Sequence, residues 1–256
     1  MSWPKLPESC THLAIITGAS RGIGRALVDA VPDPSWFLVG VSRHEPADAP
    51  GPGYAHLSAD LADPEGLAKC VSAMTDWLAS SGLERAVLWN NAGTLAPAGF
   101  QGVADDLALA KQVTLNTAAP MVLGNAFIRE ARGLGNNAVV VNIGSGAAKN
   151  PYVGWAGYCA TKAALMMWTR CVGLEQTHAH GARGTRVLDV APGVVATDMQ
   201  AWIRDRDLDD FPMRDRFIEM HETGALLDPA AVAARLWTVA LDETHASGSV
   251  LDLRDL

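Results

Sequence analysis

Cysteine is scarce in this chain, and what there is does not cluster. Cys10, Cys70, Cys159 and Cys171 form no CxxC pair and share no ligand spacing with the seven histidines. No metal site is therefore expected, and in a chain of 256 residues lone cysteines point to reduced thiols and a cytoplasmic setting, not a disulfide scaffold. His178 and His180 read as a solvated helix end. Basic charge is also in deficit: 20 Lys and Arg stand against 28 Asp and Glu, a formal net charge of -8. Neither nucleic acid nor an anionic membrane surface is an expected partner. The start, Met1-Ser-Trp-Pro-Lys5, lacks the cationic stretch and apolar run of a signal peptide. No stretch approaches the ~18 uninterrupted apolar residues of a membrane span. Repeats and low-complexity linkers are missing too. The length suits one large α/β domain over residues 1–256 better than two small ones.

What the sequence does have is alternation. Short apolar runs at 13–17, 37–42, 86–90, 138–143, 187–191 and 249–253, with a weaker one at 55–58, predict strands. Helical patterns lie between them at about 21–31, 64–80, 104–131, 156–179 and 228–241. The alternation predicts a single doubly wound parallel sheet of about seven strands, with helices on both faces. Residues 44–53, His-Glu-Pro-Ala-Asp-Ala-Pro-Gly-Pro-Gly, are too short and too rich in proline and glycine for a helix. The crossover between the second and third strands is therefore expected to be a loop, leaving that flank thinly covered.

Directly after the first strand comes Thr17-Gly-Ala-Ser-Arg-Gly-Ile-Gly24, which opens a helix. A dinucleotide site needs a tight turn, close backbone approach to a pyrophosphate, and a helix N-terminus facing negative charge. Gly18, Gly22 and Gly24 meet those needs in the context that gives a glycine triplet meaning. Further on, Tyr158 and Lys162 are four apart, one turn along a helix face, with Ser145 thirteen positions upstream. A lysine there favours the phenolate and is expected to bring tyrosine's pKa of about 10 towards neutrality. A tyrosine so tuned can give a proton to a carbonyl oxygen or take one from an alcohol. Alone, the same spacing also fits an amphipathic surface helix.

The spacing GxxxGxG, Asn90-Asn-Ala-Gly93, Asn116, Ser145, Tyr158 with Lys162, and Pro192-Gly193 with Thr197 resemble, in order, the motifs of the short-chain dehydrogenase/reductase family. The resemblance covers nearly the whole chain and implies a Rossmann-type fold. It implies a cofactor held by Gly18, Ser20, Arg21, Gly22, Ile23, Gly24, Asn91, Ala92, Gly93, Tyr158, Lys162, Pro192, Gly193, Val195 and Thr197. Asp60-Leu61 resembles the pair that places the adenine ring. The second strand ends Val41-Ser-Arg-His44, without the acid that would bind a ribose 2′-hydroxyl. Arg43, His44 and Arg21 therefore point to NADP(H), since guanidinium forks suit phosphate.

The family's chemistry implies Tyr158 as general acid and Ser145 as a hydroxyl donor to the same oxygen. Lys162 is implied to tune the tyrosine and hold the nicotinamide ribose, and Asn116 to hold a relay water. The serine segment departs from the family's ISS, reading Asn142-Ile-Gly-Ser-Gly146.

Residues 199–223 fall where the family has a lid. Its Met199, Trp202, Phe211, Met213, Phe217 and Met220 either wall a flat ketone or fasten the lid to the body, and Trp155 is expected to face the pocket with Ser145 and Tyr158. Gly154–Ala164, Ala191–Gln200 and Ser247–Asp255 are similar to sepiapterin reductases and bacterial benzil reductases. That likeness implies a small carbonyl substrate, with Asp252 as an anchor for a pterin edge; a solvated acid is the alternative. A 3-oxoacyl-carrier-protein reductase is disfavoured because the VDGG-like ending is missing. A non-catalytic NADP-binding redox sensor would typically have lost the tyrosine or lysine. The long helices at 104–131 and 156–179 offer apolar faces for a homodimer.

Overall fold

A computed structural model describes residues 3–46, 48, 53–80, 82–208 and 211–256. The strands are β1 His12–Thr17, β2 Trp36–Ser42, β3 Tyr54–Ser58, β4 Arg85–Asn90, β5 Ala138–Ile143, β6 Arg186–Ala191 and β7 Val250–Asp252. Each lies within one residue of its predicted bounds. They form one parallel sheet in the order β3-β2-β1-β4-β5-β6-β7. The winding reverses between β1 and β4, the crevice where sheets of this kind take a ligand. β5, Ala-Val-Val-Val-Asn-Ile, is buried at every position because both sheet faces are covered.

The described residues form eight α-helices, α1 Gly22–Asp29, α2 Pro64–Leu78, α3 Asp106–Val113, α4 Ala119–Glu130, α5 Ala156–His180, α6 Asp198–Arg204, α7 Arg214–Glu222 and α8 Pro229–Leu241, of which α1 and α8 cover one sheet face and α2, α4 and α5 the other. Alternate strand residues feed two cores. Leu13, Ile15, Val39, Val41 and Leu88 meet Met74 and Trp77 of α2 and Phe127 of α4. Ala14, Ile16, Leu38 and Trp89 meet Leu27 of α1 and Leu236 and Trp237 of α8. Asp63, Asp105 and Asp228 each accept a backbone N–H bond at the start of α2, α3 and α8, as N-caps should. No helix among the described residues is long and apolar enough to cross a membrane.

Two sequence expectations change. The helix expected over 104–131 is broken: α3 passes into a π-helical turn, Thr114–Ala118, before α4. Pro120 is the physical reason, since it offers no N–H to the residue four before it. The Ala119 N–H bonds instead to the Thr114 carbonyl, five residues back. The lid region 199–223 is helical in two pieces, α6 and α7; residues 209 and 210 lie outside the described residues. In the crossover 44–53 the described residues carry no helix, while 47 and 49–52 lie outside them. Only Leu57 of the five β3 residues is buried, as a thinly covered flank should show, and the Tyr54 ring lies where a Gly40 side chain would stand.

Candidate active site

The turn from β1 into α1 bends at Gly18 (φ +69°) and Gly22 (φ +56°), in the left-handed region that suits glycine. A Cβ at Gly24 would run into the Gly18 carbonyl and the Asn91 amide. Thr17 ties this turn to the loop after β4. Its hydroxyl donates to the Trp89 carbonyl (3.0 Å) and accepts from the N–H groups of Asn91 (2.9 Å) and Ala92 (3.0 Å). Asn91 Nδ2 donates back to the Thr17 carbonyl at 2.9 Å. α1 opens with no side-chain cap, which leaves its first N–H groups available to an anion.

Around this turn, Ser20, Ile23, Asn91 and Ala92 are half-buried, while Arg43, His44, Asp60 and Gly93 are exposed. Ser58 Oγ holds the Arg43 carbonyl at 2.9 Å, and Leu61 is buried. Arg21 reaches across to Asp198 at 3.1 Å in an exposed ion pair. Thr197 packs over Gly22, and Gly193 (φ +83°) follows Pro192 where β6 ends, close to buried Val195.

The buried stripe of α5 carries Tyr158, Thr161, Lys162, Leu165 and Thr169. Spacings of three and four put them on one side of the helix, against the ends of β5 and β6. Ser145 follows β5 and caps a short 3₁₀ turn, accepting from the Ala147 N–H at 3.1 Å. Asn116 sits in the π turn. Its Oδ1 accepts from the Thr94 N–H (2.8 Å), and its Nδ2 donates to the Thr94 carbonyl (2.8 Å) and to Thr161 Oγ1 (3.2 Å).

Electrostatics here run against the sequence expectation for the tyrosine. Burial pushes the Tyr158 phenol up to about 12, with the Ser145 hydroxyl pulling the other way. Lys162 does not lower it in this arrangement, because its Nζ donates to the Ile143 carbonyl at 2.7 Å and stands 5.8 Å from the Tyr158 ring centroid. Burial brings Lys162 itself down to about 8, opposed by the charge of Asp189.

Over Tyr158 lies an aromatic cluster. Trp155 and Phe211 stack at 4.5 Å with 2° between their planes, Phe217 is 5.5 Å from Trp155, and Tyr158 meets Trp155 edge-on at 5.8 Å. Phe211 is wholly buried and Phe217 nearly so, so these two fasten the lid to the body and do not wall an open pocket. Trp155, expected to face the pocket, is buried in the same cluster. Met199, Trp202 and Met213 are half-buried at its edge, and Met220 stands outside it. Asp252, the expected anchor, is already forked to Arg254 at 2.9 and 2.6 Å.

The sequence profile of short chain dehydrogenases matches residues 12–208. The chain belongs to the short-chain dehydrogenase family. As a short-chain dehydrogenase it is an oxidoreductase. The benzil reductase ((S)-benzoin forming) of Bacillus cereus is 34% identical over 243 residues, covering 93% of this chain and 97% of that one. Sepiapterin reductase of Bos taurus is 31% identical over 261 residues, 95% and 94% of the two chains. Among solved structures, a putative NAD(P) dependent gluconate 5-dehydrogenase from Beutenbergia cavernae with bound NADP superposes with a TM-score of 0.77. It is 26% identical, over 96% of this chain and 97% of its own.

Within this short-chain dehydrogenase, Ser145, Tyr158 and Lys162 gather past the end of β5, Asn116 is tied to Thr161 on the same helix and to Thr94 after β4, and the glycine turn forms a unit with Asn91 and Ala92. Four participants escape sequence reading: Thr94 and Thr161, which hold Asn116; Arg254, which occupies Asp252; and Asp189. Only the last leaves a signal, an acid inside a strand buried at all six positions.

Proposed function

We propose that this short-chain dehydrogenase is an NADPH-dependent carbonyl reductase acting on a diketone. Tyr158 would be its general acid, and the whole of 1–256 would form one nucleotide-binding domain. The observation that carries the reading is the meeting of Tyr158, Ser145 and Lys162 past the end of β5, in the same sheet whose β1 runs into the glycine turn. That turn fits a pyrophosphate: two glycines take left-handed backbone and a third has no room for a Cβ. When bound, the nicotinamide supplies a hydride. Tyr158 gives its phenolic proton to the carbonyl oxygen as that oxygen gains charge, and Ser145 donates a hydrogen bond to the same atom. Lys162, 5.8 Å from the centre of the Tyr158 ring, answers the phenolate left behind and would hold the ribose. The Asn116 amide is taken up by Thr94 and Thr161. A relay water would therefore rest on its main-chain carbonyl, to which Pro120 can give no N–H.

NADP(H) over NAD(H) is supported by exposed Arg43 and by the lack of an acid at the end of β2. Arg21 can join it, since leaving an exposed ion pair such as that with Asp198 costs only about 0–1 kcal/mol. A diketone is favoured over a pterin because Arg254 already fills the fork of Asp252. Exposed Val122 on α4 and Met167 and Leu174 on α5 support a homodimer, and the free cysteines support a cytoplasmic location. Oxidation of NADPH and of NADH with benzil, sepiapterin and an acetoacetyl thioester tests the reading. The highest kcat/KM should fall to benzil with NADPH. Preference for the thioester would favour a 3-oxoacyl-carrier-protein reductase, and no turnover at all would favour a nucleotide sensor. Light scattering should give twice the 27.0 kDa chain mass.

A further inference from the structure

Asp189 is a buried carboxyl to which the proposed reaction assigns no role. It lies in β6, is 2% exposed, and its Oδ2 has no hydrogen-bond partner among the described residues. An unanswered buried carboxylate is costly, so such a group either takes up a proton or stays ionised beside a positive charge. The space it occupies is made by Gly144, the first residue past β5. A Cβ there would collide with Asp189 Oδ1 and stand 3.0 Å from its Cγ. This gives a physical reason for the glycine in Asn142-Ile-Gly-Ser-Gly146, where the family pattern has serine. The carbonyl of the preceding residue, Ile143, is the one to which Lys162 donates at 2.7 Å. Carboxylate and ammonium thus close on the same Ile143–Gly144 peptide without forming a direct ion pair.

We propose that Asp189, housed by Gly144, is a positioning residue for Lys162: a buried negative charge that keeps the lysine an ammonium while Tyr158 works. The proposal rests on the reading of Lys162 as the group that answers the Tyr158 phenolate. Other charged groups at this place are few. Lys149 faces Asp189 from the end of the 3₁₀ turn, and Asp252, on neighbouring β7, is spent on Arg254. Asn142, opposite Asp189 on β5, and Tyr158 and Ser145 are neutral. Burial lifts Asp189 to about 6, so it is ionised where Lys162, brought down to about 8, would lose its proton.

The sign follows. Replacing Asp189 by an amide removes the charge that opposes the burial of Lys162, so the lysine gives up its proton at lower pH. In Asp189→Asn the alkaline limb of kcat for ketone reduction should move down by about one pH unit. Gly144→Ala, which displaces the carboxylate, should move it the same way. In the wild-type protein, the ¹³Cε signal of Lys162, assigned through Lys162→Arg, should titrate in two steps, a small one near pH 6 before its own. A limb that overlays the wild-type one in both variants, whatever its height, would overturn the proposal, as would a single-step Cε titration. If neither variant folds, the Cε titration decides alone. That titration needs no turnover, so a fully active Tyr158→Phe would sink the catalytic reading without deciding this one.

Discussion

The two ends of the site are built by different physics. At the glycine turn, backbone meets backbone: Gly18, Gly22 and Gly24 bring chain segments too close for side chains, and Thr17 and Asn91 lock them by hydrogen bonds. At the lid, Trp155, Phe211 and Phe217 hold by ring contact, with little polar register. The first kind of order is directional and tolerates no added atom. The second is set by area and shape, and many side-chain sets would satisfy it.

Substitutions can break or sharpen that contrast. Tyr158→Phe removes the proposed proton donor that lies between the two ends, so kcat should fall by roughly 10²–10⁴. Its melting temperature and NADPH affinity should hold; near-normal turnover would show that the proton comes from elsewhere. Phe211→Ala deletes one half of the stack on Trp155 and should cost about 3–5 kcal/mol in packing. Its effect should appear as a raised KM for the ketone, with NADPH affinity by fluorescence titration unchanged. An equal loss in both would mean the two ends are not separate. Gly24→Ala is the mirror test: NADPH should bind about tenfold more weakly because the new Cβ meets the Gly18 carbonyl. The smallest effect is expected of Arg254→Ala. Freeing Asp252 should raise kcat/KM for sepiapterin about threefold and leave benzil unchanged, a charged hydrogen-bonded fork becoming available at a partly exposed place. Equal changes for both substrates would remove Asp252 from recognition.

The same contrast explains what could be read from the sequence. Apolar runs gave away the five inner strands because a buried parallel strand has no polar face to disguise it, whereas the half-buried edge strand β3 left only a weaker run. Gly18, Gly22 and Gly24 stood out because the backbone geometry they serve demands glycine at fixed intervals. Tyr158 and Lys162 stood out through helix periodicity. The lid residues could not be oriented, since Phe211 offers the same hydrophobic surface whether it faces a ketone or Trp155. Nor does any local pattern tell that Arg254 turns back onto Asp252, two residues away. The direction of the Tyr158 shift was missed because spacing shows which charges are near and says nothing of how much water is lost.

The π turn at Thr114–Ala118 has a consequence for the length of the chain there. Each residue in a helix turns the next by about 100°. One residue removed from the turn would therefore rotate α4 by about that angle against α3. Asn116 would swing away from Thr94, and Gly124, which lets Trp168 approach α4, would turn to another side. A single deletion would be felt at both places at once, whereas most substitutions at exposed positions of α3 would be felt at neither. Phase, more than composition, is what this stretch has to keep.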